Sequence, residues 1–167
     1  MIGMVAITAL VALSLTAPGA PQIHKSKMEE LSFLIGAWSG EGWQMRGEAK
    51  DLFTGTEAAR WSAGGTAMII EGHQKNGAGA DRYNGLVVIT WNASKNCYRL
   101  TQQTSGGSYA EYEAQLKDKT LTWQLRENLS ITLVVKDGEW LEEGFMVSGD
   151  TKSKIFELKM KKKPDEK

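Results

Sequence analysis

From residue 38 to residue 161 apolar and polar positions alternate with a period of two, whereas the residues just before them do not. That earlier stretch carries Met28, Leu31, Phe33, Leu34 and Ile35, an apolar stripe that predicts one short helix. Ser26 as N-cap and Glu29 three residues later have the spacing of a capping box, and Gly36 suits the helix stop. The strand pattern opens at once with Trp38 and Trp43, separated by Gly40 and Gly42.

The alternation predicts strands over 38–46, 52–62, 66–74, 84–91, 98–104, 109–116, 121–126, 129–136, 140–148 and 155–161. In the clearest of them Val87, Ile89 and Trp91 share one face, and Leu86, Val88 and Thr90 share the other. In the last, Phe156, Leu158 and Met160 read as inward, and Glu157, Lys159 and Lys161 as outward. Asp137-Gly138 is a type I′ hairpin pair between alternating strands, and Gly64-Gly65 and Gly106-Gly107 mark further turns. Many strands in series with short turns pair as antiparallel neighbours. An open sheet of that length would leave exposed edges, which closure removes. The expected fold is therefore all-β, an antiparallel up-and-down β-barrel of about nine or ten strands, with the short N-terminal helix over one end.

Composition narrows the partners. The chain has 167 residues and a formal net charge of zero, which gives no reason to expect nucleic acid or an anionic membrane. Residues 1–23 hold no charged side chain, and 2–17 is an apolar run that ends in Pro18, Gly19 and Pro21. This reads as a signal peptide over 1–19, with Ala17-Pro18-Gly19 as a small-x-small site. The competing reading is an uncleaved anchor. Cleavage would leave a single domain over 20–167, secreted or periplasmic, with no membrane span. Cys97 is the only cysteine, so no intrachain disulfide forms, and a lone strand cysteine reads as a small buried hydrophobe.

Gly36-Ala37-Trp38, after a short helix and at the opening of the first strand, resembles the G-x-W signature of the lipocalin and calycin superfamily. With Leu31, Leu34, Gly40 and Gly42 added, the pattern is similar to nitrobindin-like barrels and to small, mostly bacterial, lipocalin-like proteins. The resemblance implies a barrel with one closed end, where Trp38 packs, and an open cavity for a small molecule. Nitrobindins bind haem through a histidine near the C-terminal end of the barrel. No histidine follows His73 here, so that ligand is absent and His73 itself is the alternative for haem. No cofactor is expected on the main reading.

The candidate chemistry is sparse. Six tryptophans occur, and Trp43, Trp61, Trp91 and Trp123 lie on different strands, as walls of a pocket would. Arg60, Glu71, Arg99 and Arg126 are charged residues on otherwise apolar strands; any that point inward need a partner or a ligand. The expected ligand site is Trp43, Trp61, Glu71, His73, Tyr83, Trp91, Trp123 and Arg126, around a small apolar or amphipathic molecule. A hydrolase or isomerase would use Glu71 and His73, which share a strand face, together with Tyr83. A packed, ligand-free barrel of the cell envelope is the third reading. Gly77-Ala78-Gly79 lacks the Lys-Ser/Thr pair and helix of a phosphate loop.

Overall fold

The computed structural model describes residues 19–164. The segment read as a signal peptide lies, apart from Gly19, outside the described residues. Ten strands follow one helix: α1 (Ala20–Glu29), β1 (Gly36–Arg46), β2 (Ala49–Ser62), β3 (Ala67–Asn76), β4 (Asp81–Asn92) and β5 (Cys97–Thr104). The second half is β6 (Tyr109–Lys117), β7 (Thr120–Arg126), β8 (Leu129–Lys136), β9 (Glu139–Ser148) and β10 (Thr151–Lys162). Every consecutive pair is antiparallel, and β10 returns to β1, so the sheet closes as an up-and-down barrel. The period-two alternation is the cause: each strand has an inward row, and a closed ring is the arrangement that covers every such row without leaving an edge.

The helix departs from the expected boundaries. It starts at Ala20 with Gly19 as N-cap and no side-chain cap, so Ser26 lies inside it and closes no capping box. Pro21 near its start tolerates the lost N–H that a helix start leaves free anyway. A separate 3₁₀ turn, Ser32–Leu34, then leads into β1. Met28, Leu31 and Leu34 are wholly buried and plug one end of the barrel. Two bonds fasten the plug. Trp38 Nε1 donates to the Leu34 carbonyl at 2.9 Å, and the Tyr98 hydroxyl donates to the Lys27 carbonyl at 2.7 Å. Trp38 packs on Trp140 with centroids 5.6 Å apart, and Trp91 meets Tyr98 edge-on at 5.0 Å.

The glycines of β1 have a steric reason. A Cβ on Gly40 would run into the Lys159 carbonyl oxygen of β10, so the seam between first and last strands closes only over a bare backbone. Asp137 and Gly138 both have positive φ, 53° and 77°, as the type I′ turn requires. Cys97 is buried, and burial pushes its thiol pKa up, which suits packing and not reactivity. Among the described residues no helix is long and apolar enough to cross a membrane.

Candidate functional site

Below the plug the inward rows stop filling the barrel. A cavity of about 310 Å³ occupies its middle and opens away from the helix. That is room for about ten waters and lies at the lower end of the range for small-molecule sites. Ile70, Val87, Ile89, Leu100, Leu121 and Leu133 form its apolar wall, and Tyr112, Trp123 and Phe156 add aromatic faces. The open end is made by the β1–β2, β3–β4, β5–β6, β7–β8 and β9–β10 connections. Arg82 reaches across it, donating to Gln44 Oε1 at 2.6 Å and pairing with Asp51, with its guanidinium 4.7 Å from the centre of the Phe53 ring.

The polar part of the lining is Glu57, Glu142, Tyr83, Gln102, Gln74 and Gln44. Register explains how the deeper groups are seated. Glu57 of β2 is opposite Gly72 of β3, which is opposite Gly85 of β4. A Cβ on Gly72 would lie 2.6 Å from Glu57 Oε1, so the carboxyl rests over space that only glycine leaves. Gly85 does the same for the Tyr83 hydroxyl, which accepts a hydrogen bond from Gln102 Nε2 at 2.8 Å. Trp140 Nε1 is the one buried side-chain donor or acceptor among the described residues that lacks a hydrogen-bond partner. It lies near enough to Glu142 to draw that pKa down somewhat, without forming a bond of normal geometry.

Electrostatics marks out the two carboxyls of the lining. Loss of solvation, then the charge of Glu142, pushes Glu57 up to about 8, and loss of solvation pushes Glu142 up to about 7. Both are half-buried and line the cavity, where the barrel wall removes much of their solvation. The Tyr83 phenol is raised as well, first by burial. Among the described residues no lysine, arginine or histidine lines the cavity, so neither carboxyl has a cation to pair with.

The residues expected to form the site divide. Tyr83 and Trp123 line the cavity. Trp91 points inward but belongs to the plugged end, buried against Tyr98. Trp61 has inward parity at the very end of β2, where it stands beside Lys25, Glu29 and Gly65 in a shallow groove by α1, outside the cavity. Trp43 is the reverse of the expectation. Five positions separate it from inward Trp38, an odd number, so it faces outward under Lys50. Glu71 and His73 share a face, but it is the outer one: Glu71 pairs with half-exposed Arg60 at 2.9 Å, and His73 Nδ1 bonds Asn84 Oδ1 at 2.8 Å. Arg126 is exposed at the end of β7. The catalytic grouping of Glu71, His73 and Tyr83 is therefore split between two faces of the sheet, and no histidine is placed to ligate a haem inside the barrel. Among the described residues no three His, Cys, Asp or Glu side chains gather as a metal site.

Glu57, Glu142 and Trp140 went unread, although two left a signal. Glu57 shares parity with Phe53, Gly55 and Ala59, and Glu142 shares parity with Trp140 and Gly144. A carboxylate in an otherwise apolar or small row is an inward carboxylate.

No family model matches the chain, and no curated protein matches it. Among solved structures it is similar to Rv2717c from M. tuberculosis, with 10% sequence identity and a TM-score of 0.61, over 82% of this chain and 97% of that one. It is also similar to the zebrafish ileal bile acid-binding protein solved with cholic acid, at 12% identity and a TM-score of 0.51, over 78% of this chain and 98% of that one. Identities this low establish the shared architecture alone, a calycin-like closed barrel.

Proposed function

We propose that this protein is an exported binding protein that holds a small, largely apolar molecule inside its barrel. The observation that carries the reading is the barrel cavity of about 310 Å³, apolar on most of its wall and supplied with a few inward polar groups. A barrel with only a structural task gains nothing from inward Glu57 and Glu142, since each is costly to bury without a partner. The bile acid held by the zebrafish protein is a precedent for the architecture. Export rests on the charge-free N-terminal run. The likeness of the β1 motif to nitrobindin-like barrels is kept in this reading for the architecture, without a haem histidine.

The test uses N-phenyl-1-naphthylamine, a neutral fluorophore that brightens in apolar sites. The mature chain is expected to bind one equivalent saturably, and Val87→Phe, which fills the cavity from β4, is expected to weaken binding at least tenfold. Absence of saturable binding, or equal binding by the filled variant, overturns the proposal.

A second reading follows from the same carboxyls. Held near 7 and 8, Glu142 and Glu57 are poised to exchange protons with a bound molecule, as an isomerase would need. Conversion of a bound ligand, abolished by Glu57→Gln, would favour that reading over simple storage.

A further inference from the structure

We infer that the cavity selects lipophilic amines: a protonated nitrogen seated between Glu57 and Glu142, with the apolar body against the aromatic wall. The inference rests on the binding function proposed above and adds the chemical class of ligand.

Three observations carry it. First, the deep polar groups are built in. Gly72 leaves the space in which the Glu57 carboxyl lies, and Gly85, paired with Gly72 across the β3–β4 ladder, does so for the Tyr83 hydroxyl. Second, the lining holds two carboxyls and, among the described residues, no cationic side chain. The nearest guanidinium, Arg82, is held at the mouth by Asp51 and Gln44. A carboxylate ligand would meet only like charge once either glutamate ionised. A monocation supplies the missing countercharge in a medium of low dielectric, where an ion pair is strong and a lone ion is costly. Third, Trp140 is 1% exposed, and its buried Nε1 lacks a hydrogen-bond partner and stands beside Glu142. An indole N–H donates only. Its natural acceptor is a Glu142 oxygen in the ionised state, which a cation in the cavity would stabilise. A cationic ligand thereby favours the acceptor that the Trp140 N–H requires. Tyr112 and Trp123 add ring faces that favour a cation further.

Neutral acceptors such as alcohols remain able to bind two protonated carboxyls, so the test must compare charge at constant shape. Competition against N-phenyl-1-naphthylamine is measured with 1-naphthylmethylamine, 1-naphthalenemethanol and 1-naphthoic acid at pH 7.5. The amine is expected to bind at least tenfold tighter than the alcohol, and the acid weaker than both. Glu57→Gln and Glu142→Gln are expected to lower amine affinity at least tenfold and to narrow the amine's margin over the alcohol. A measurement on the unaltered chain guards against misfolded variants. At pH 5 Glu57 on β2 and Glu142 on β9 are both protonated; the other titratable side chains lining the cavity are Tyr83 on β4 and Tyr112 on β6. Amine affinity should fall at least tenfold there while alcohol affinity holds. If the alcohol or the acid binds as tightly as the amine, the inference falls and the binding function stands. If the fluorophore itself fails to bind, both fall.

Discussion

The two halves of the barrel interior are made from the same alternation and end in opposite states. At the helix end the inward positions hold Trp38, Tyr98, Trp91, Trp140 and Met160, and the space is full. Toward the open end the corresponding positions of β2, β3 and β4 hold Gly55, Glu57, Gly72, Gln74, Tyr83 and Gly85, and the space is a cavity. Strand pairing is continuous through both. Backbone architecture therefore does not decide whether a barrel of this size is a solid or a container. Side-chain volume along a single inward row decides it, and the polar groups are confined to the half that is hollow.

The largest break in this contrast comes at the plug. Trp38→Ala should cost about 3–5 kcal/mol in denaturant unfolding, because it removes a buried indole, its contact with Trp140 and its bond to the Leu34 carbonyl. A loss below about 1 kcal/mol would mean that the plugged end is not what holds the barrel together. Next in size is the carboxyl pair. Both glutamates have folded-state pKa values raised above the ordinary 4.5. Their contribution is most favourable below the unfolded-state pKa and is lost as pH climbs toward about 8. Glu57→Gln should therefore be more stable than the parent at pH 8.5, by on the order of 2–4 kcal/mol, with the gap closing toward pH 5. A gap that widens on acidification would show that Glu57 is paired rather than isolated. The smallest effect belongs to the cavity wall. Val87→Ala should cost only about 1 kcal/mol, since the side chain already borders empty space on one side. A cost like that of Trp38→Ala would erase the distinction between the two halves.

Much of this was legible before any coordinates. All ten strands lie within a few residues of the positions their alternation indicates, because closure into a ring agrees with the local period along most of each strand. The helix start was not, since Ser26 and Glu29 mimic a capping box while Gly19 and Pro21 do the capping. The site was readable in a way that adjacency obscured. Trp43 draws attention as a tryptophan and Glu71 as a charge beside Ile70, yet residue type says nothing of face, and neighbours in a strand face opposite sides. Counting by twos from Trp38 places Trp43 outside, and counting by twos from Phe53 places Glu57 within. What no count could supply is depth along the barrel. Trp61 and Trp91 have inward parity and still miss the cavity, because strand tilt and the helix decide which level of the ring is filled.

The seam between β1 and β10 joins the first and last strands of the barrel, with Trp38 opposite Lys162. During synthesis every other hairpin can zip up from local turns, but this ladder must wait for the final strand to leave the ribosome. Until then β1 and β9 are both raw edges, the arrangement most prone to pairing with another chain. The twelve residues of β10 thus act as a clasp, and a polypeptide released before them has two sticky borders in place of none.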